Sequence, residues 1–232
     1  MINKKIGIII RGGITNYTAD IVNEYQKNFH DAEIIVSTWK GHKTDNIPCK
    51  VVTSIEPEMP QPNAISINHQ VISAKAGLAK ISSDIVLMCR GDQIIHNQKI
   101  FEIYEKYCPK TKIMVSSSPR FVQGIPEDYS YEYFIPDFCQ ISTNQLMHEF
   151  WDDVPYFDGS SRMSIEKWFT KNYVRNIKKD SKKWHEIKNE YFYIRDWYDD
   201  FRIEWESHNE SEVYRTRQCE IIEKNAIMKS MK

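Results

Sequence analysis

Arg90-Gly91-Asp92 closes a short apolar run, Asp84 to Cys89, and ends it abruptly. A carboxylate just past the C-terminal end of a buried strand stands where open α/β sheets bind their ligands. Its oxygens are hard donors that suit Mg2+ or Mn2+, and Arg90 beside it suits a phosphate or an ion pair with Asp92 itself. An aspartate that only caps the next segment, Gln93 to Asn97, also accounts for the position. A second group, Arg11-Gly12-Gly13, follows the apolar run Lys5 to Ile10. Backbone N–H groups at a glycine turn there suit a phosphate or a base edge. The spacing is not GxGxxG, and a tight turn by itself explains two glycines.

Other polar residues fall at matching places. Thr38 and Trp39 end the run Glu33 to Thr38, where a base or ribose would lie. Trp39 has the face to stack on a base, although a buried indole is the commoner state. Asn68 and Gln70 open an amphipathic segment; Asn68 fits a helix cap, whereas Gln70 has no such explanation and is placed to reach a ligand. His69, between them, reads as a surface or core histidine. Two acids are placed to accept a proton from a reacting hydroxyl: Asp137, after Pro136 in an aromatic loop, and Glu166, in the first turn of a helix. The helix dipole alone also favours an acid at Glu166.

The elements that must position these groups are legible from periodicity. Lys5 to Ile10 is a continuous β-branched run, the pattern of a parallel strand covered on both faces. A helix from about Thr18 to Phe29 follows, then a strand Glu33 to Thr38 and a shorter one, Lys50 to Ser54. The three prolines of EPEMPQPN exclude regular structure there. Next come a helix from Asn68 to Ile81, the strand Asp84 to Cys89, a helix Lys99 to Tyr107 and a strand Lys112 to Ser116. This alternation predicts a mostly parallel sheet with crossover helices. Beyond residue 118 the rhythm breaks. Ser117 to Glu132 reads as a long loop, Phe138 to Cys139 as a short strand, Thr143 to Phe150 as a helix capped near Ser142, and Ser164 to Ile177 as another. Residues 178–190 form a lysine-rich connector or helix, Phe201, Ile203 and Trp205 alternate as a late strand, and the tail from Ser211 reads as helical or frayed.

Composition narrows the class. Among 232 residues, Lys plus Arg (31) nearly cancel Asp plus Glu (32), so no global field steers the chain to nucleic acid. Five scattered cysteines without a CxxC pair argue against a disulfide framework or zinc site and for a reducing, cytoplasmic setting. No run approaches the ~18 apolar residues of a membrane span, and Arg11 ends the opening run too early for a signal peptide. At most a peripheral membrane association is expected, at the inner face. The aromatics Trp184, Tyr191, Trp197 and Trp205, interleaved with both charge signs, read as a cover packed onto the sheet rather than a membrane-binding helix.

In order and spacing, several short motifs resemble the WavE-type lipopolysaccharide synthesis family. They are Arg11-Gly12-Gly13-Ile14 after the first strand, Ser37-Thr38-Trp39 at the end of the second, and Asn68, Gln70, Val71, Ser73, Gly77 and Leu78 in the central helix. Met88-Cys89-Arg90-Gly91-Asp92, Pro136-Asp137-Phe138 leading to Leu146 and Trp151, and Ser164 to Trp168 complete the set. The resemblance covers most of residues 5–175. It departs from the family pattern at Met88 (a lysine there), at His69 (an arginine) and in the first turn, which lacks the Gln and Pro. These positions bear on the donor taken and on how active this copy is.

The resemblance implies a single GT-A-like nucleotide-diphospho-sugar transferase domain, an α/β fold with a mostly parallel central sheet flanked by helices and a helical, aromatic C-terminal cover. It divides into a donor half at 1–118, an acceptor side at 119–177 and the cover at 178–232. The implied activity is a hexosyltransferase-like glycosyltransferase moving a sugar from a nucleotide-diphosphate donor to a glycan or lipid-linked glycan in surface polysaccharide synthesis. The implied site has Arg11, Gly12, Gly13, Thr38, Trp39, Asn68, Gln70, Arg90 and Asp92 on the donor. Asp92 would carry a divalent metal, Mn2+ or Mg2+, and Asp137 and Glu166 would be catalytic. Two alternatives stand beside it: a non-catalytic nucleotide-sugar or carbohydrate-binding protein on the same fold, and an interaction protein working through its aromatic C-terminal part.

Overall fold

The computed structural model describes residues 4–117 and 132–205. Most of the expected long loop, the C-terminal tail and Cys219 lie outside them.

Strand β1 (Ile6–Arg11) is followed by α1 (Thr18–Asn28), β2 (Glu33–Trp39), β3 (Lys50–Ser54) and α2 (Ile67–Leu78). Then come β4 (Ile85–Arg90), β5 (Gln93–Ile95), α3 (Ile100–Tyr107), β6 (Ile113–Ser116) and β7 (Cys139–Thr143). The chain continues through α4 (Asn144–Trp151), α5 (Ile165–Lys171), a π-helical turn (Asn172–Ile177), α6 (Trp184–Tyr191), β8 (Phe192–Arg195), a second π-helical turn (Trp197–Phe201) and β9 (Ile203–Trp205). Seven strands form one sheet in the order β3-β2-β1-β4-β7-β6-β8. The pairs β1–β2, β1–β4, β2–β3 and β6–β8 are parallel, and β7 runs antiparallel between β4 and β6. The expected mostly parallel α/β sheet is present.

The β-branched runs behave as a doubly covered sheet requires. On one face Ile8, Ile10, Val36, Leu87, Cys89 and Ile141 pack with α1, α3 and Trp197 and Trp205. On the other, Ile9, Ile35, Val86, Met88 and Val115 pack with α2, α4 and Phe169 of α5. Residues i and i+2 share a face, so both phases of β1, β2, β4 and β6 are apolar. Met88 belongs to this second layer, fully enclosed. A lysine there would need a buried partner, and the methionine needs none.

Several elements differ from the sequence reading. The N-cap of α2 is Ser66 and that of α4 is Thr143, so neither Asn68 nor Ser142 caps. The helix expected over Ser164 to Ile177 is α-helical only to Lys171 and then widens into the π-turn. Phe192–Arg195 has no alternating signal, yet it forms the edge strand β8 beside β6. The late strand exists but pairs with β5 in a separate two-stranded ribbon. Part of the expected cover is therefore sheet. Trp197 and Trp205 stack with ring centroids 5.7 Å apart and are buried, while Trp184 packs on Tyr133.

Candidate active site

Strand order fixes where a ligand can sit. From β1 the chain winds outward to β2 and β3, then returns across the sheet to β4 on the other side of β1. The reversal leaves a crevice at the C-terminal ends of β1 and β4, the place where open α/β sheets bind ligands. Arg11 and Arg90 end these two strands and are register partners.

Two glycine turns build the crevice floor. Gly12 has φ +110°, in the left-handed region that favours glycine, and its N–H donates to Ser37 O at 3.0 Å. Gly91 N–H donates to Arg11 O at 3.0 Å. A Cβ at Gly91 would lie 2.7 Å from Gly13 O, so the turns after β1 and β4 touch backbone to backbone and only glycine fits. Above them opens a cavity of about 360 Å3 lined by Arg11, Gly12, Gly13, Trp39, Gln70, Arg90 and Asp92. That volume is at the lower end of the ~300–1,000 Å3 of ligand pockets.

The two arginines are held differently. Arg11 is buried; its Nη1 donates to Gln70 Oε1 at 2.7 Å, and its Nη2 donates to Asp137 O at 2.8 Å and Asp137 Oδ2 at 3.0 Å. Its guanidinium lies 5.1 Å from the Trp151 ring centroid, and its Nε has no hydrogen-bond partner among the described residues. Burial pulls its pKa below the ordinary arginine value, with Asp137 pulling the other way. Arg90 grips Asp92 in a two-pronged fork, Nε to Oδ1 at 2.9 Å and Nη2 to Oδ2 at 2.7 Å. Its side chain is 31% exposed and its guanidinium lies 5.8 Å from the Phe138 ring. Burial disfavours the charge on Arg90, but Asp92, Asp137 and Glu166 outweigh it and raise its pKa.

The remaining sequence candidates divide. Trp39 lines the cavity but is itself almost wholly enclosed, edge-on to His69 at 5.4 Å. Glu166 follows Ile165, a cavity-lining residue, and its charge reaches Arg90. Like Glu166, three others do not line the cavity. Thr38 is buried, its hydroxyl without a partner among the described residues. Asn68 spends both ends of its amide on the backbone of Phe157, at 2.9 and 2.7 Å, pinning the loop that precedes α5. Asp137 is the enclosed counter-ion of Arg11. Sequence reasoning missed Ser66, Ser73, Thr15 and Ile165 as lining residues. Ser73 was findable, being one helical turn past Gln70 on the same face.

The expected divalent metal meets a poor ligand set. Both Asp92 oxygens are taken by Arg90, and among the described residues no three His, Cys, Asp or Glu side chains converge to hold an ion. A unit positive charge ~4 Å from a guanidinium costs about 4 kcal/mol at an effective dielectric of ~20, and a divalent ion about twice that.

A family model described as WavE lipopolysaccharide synthesis matches residues 7–229. No curated protein matches the chain by sequence. Among solved structures, it is similar to S. aureus TarS in complex with UDP-GlcNAc, at 14% identity, covering 82% of this chain and 58% of that one, TM-score 0.45. A glycosyltransferase involved in glycosylation of the major capsid of PBCV-1 matches at 12% identity over 93% of this chain and 99% of that one, TM-score 0.49. A 4-diphosphocytidyl-2C-methyl-D-erythritol synthase from Anaerococcus prevotii matches at 13% identity over 97% and 98%, TM-score 0.48. The chain spans 56% of one TarS structure and 34% of another.

Proposed function

Since the chain belongs to the WavE lipopolysaccharide synthesis family, we propose that it is a glycosyltransferase of GT-A type. It moves a sugar from a nucleoside-diphosphate donor to a hydroxyl of a glycan or lipid-linked glycan. The observation that carries the reading is the cavity at the β1/β4 reversal, where two arginines, two glycine turns and Gln70 converge. Transfer breaks the bond between the sugar's anomeric carbon and the diphosphate oxygen, which keeps the electron pair. The acceptor oxygen bonds to that carbon and its proton passes to a base.

Within this reading Arg90 meets the diphosphate, Gly12 and Gly13 allow close backbone approach, and Trp39 walls the base. Arg11 and Gln70 form a braced floor. Glu166 is the base, because its neighbour lines the cavity, whereas Asp137 positions Arg11. The donor half corresponds to 1–118 and the acceptor side to 119–177, with residues 178–205 closing the core. No helix of the described residues is long and apolar enough to cross a membrane, which suits a protein working at the cytoplasmic membrane face on a lipid-linked acceptor.

The test is release of nucleoside diphosphate from a panel of UDP-, GDP-, CDP- and dTDP-sugars, with water as the fallback acceptor. Wild type is expected to turn over one donor. Glu166→Gln should slow it by about 10²- to 10⁴-fold, the usual worth of a general base, while donor binding persists. A donor that binds tightly yet is never cleaved would establish the non-catalytic sugar-nucleotide reading instead, which the enclosed Asp137–Arg11 pair would then suit.

A further inference from the structure

Resting on that nucleotide-sugar reading, we infer that the donor's diphosphate is held at this site without a divalent cation. Arg90, braced by Asp92, supplies the positive charge, and the start of α2 with the Gly13 N–H supplies further donors.

The fork to Asp92 uses Nε and Nη2 of Arg90. No described residue hydrogen-bonds its Nη1, and the side chain remains partly exposed in the cavity wall. One edge of the guanidinium is thus fixed by a carboxylate and the other is presented to a ligand, the geometry in which an arginine takes phosphate oxygens bidentately. Asp92 serves as the orienting partner rather than as a ligand. Guanidinium and aspartate stay paired when the donor arrives, so no protein ion pair has to break.

Three further observations point the same way. Helix α2 runs for 12 residues, and its cap, Ser66, makes no side-chain hydrogen bond to the first turn. Ser66, His69 and Gln70 line the cavity, so the unsatisfied N–H groups of that turn sit at its edge, with no acid in the turn to compete. Gly13 lines it too, and its N–H has no partner among the described residues. Arg11, side chain 2% exposed, keeps in the same wall an Nε without a partner among the described residues. Against this cluster of donors stands Asp92, already engaged by Arg90, and among the described residues no three His, Cys, Asp or Glu side chains converge to hold an ion.

Titration calorimetry on the full chain decides, using UDP, GDP, CDP, dTDP and inorganic pyrophosphate as probes, each in EDTA and in Mg2+ or Mn2+. The expected result is that at least one nucleoside diphosphate binds in EDTA with the affinity it has in Mg2+. Arg90→Met should weaken that binding by about 10- to 100-fold, the worth of a charge-assisted hydrogen bond or two, with Arg90→Lys in between. Binding that appears only with the cation overturns the inference and leaves the glycosyltransferase reading intact. So does an Arg90→Met protein that binds in EDTA as wild type does. Failure of every probe in both conditions removes the nucleotide-sugar reading and this inference with it. The wild-type comparison needs no variant, so it stands even if Arg90→Met misfolds.

Discussion

Arg11 ties three parts of the chain that are far apart in sequence: the end of β1, Gln70 on α2 and Asp137 just before β7. Its guanidinium and the Asp137 carboxylate are only 2% and 4% exposed. Removing one partner of such a pair leaves an uncompensated buried charge, which costs about 3–5 kcal/mol, whereas removing both costs far less. Arg11→Met is therefore expected to lower the urea-unfolding free energy by roughly that amount, and adding Asp137→Asn should restore part of it. A loss of under ~1 kcal/mol, the worth of an exposed pair, would contradict this account. From the sequence alone Asp137 and Glu166 were indistinguishable as acids near an aromatic loop and a helix start. The fold separates them by burying Asp137 against the Arg11 guanidinium.

At the scale of elements, the ribbon of β5 and β9 is clipped to α1 by one histidine. His96, just after β5, holds Glu24 of α1 at 2.6 Å through Nδ1 and Glu204 of β9 at 2.7 Å through Nε2. Burial alone would lower its pKa, but the hydrogen bonds and charges of Glu204 and Glu24 outweigh that and raise it. The folded state thus holds the proton to higher pH than the unfolded chain, whose histidine titrates near ~6.5. The clip's stabilisation is complete below about pH 6.5 and declines as pH climbs through the raised folded value. Urea midpoints measured from acid to alkaline pH should show wild type losing its advantage over His96→Gln as pH rises. An advantage that grows with pH would refute the charged clip. Nothing in local periodicity marks His96 for this task, since Glu204 is 108 residues away.

For the whole molecule, residues 179–205 are a working part of the core. They supply β8 to the main sheet, β9 to the ribbon, and Trp197 and Trp205 to the buried layer under α1 and α3. A chain ending at Lys178 would expose β6 as an unpaired edge and open that layer. It is expected to show no cooperative thermal transition by near-ultraviolet circular dichroism. A sharp transition would mean that this segment is a separable docking arm.

The amino-acid sequence by itself determined the α/β class, the strand ends that carry Arg11 and Arg90, and the family. Continuous β-branched runs, helical spacing and glycine turns are local signals, fixed by backbone geometry and by which faces must be buried. Tertiary structure alone decided the reversal of strand order between β1 and β4, the edge strand β8, and the partners of each charge. Those depend on contacts between residues up to 126 positions apart. In that low-dielectric setting the buried ion pair with Arg11 makes Asp137 part of the scaffold.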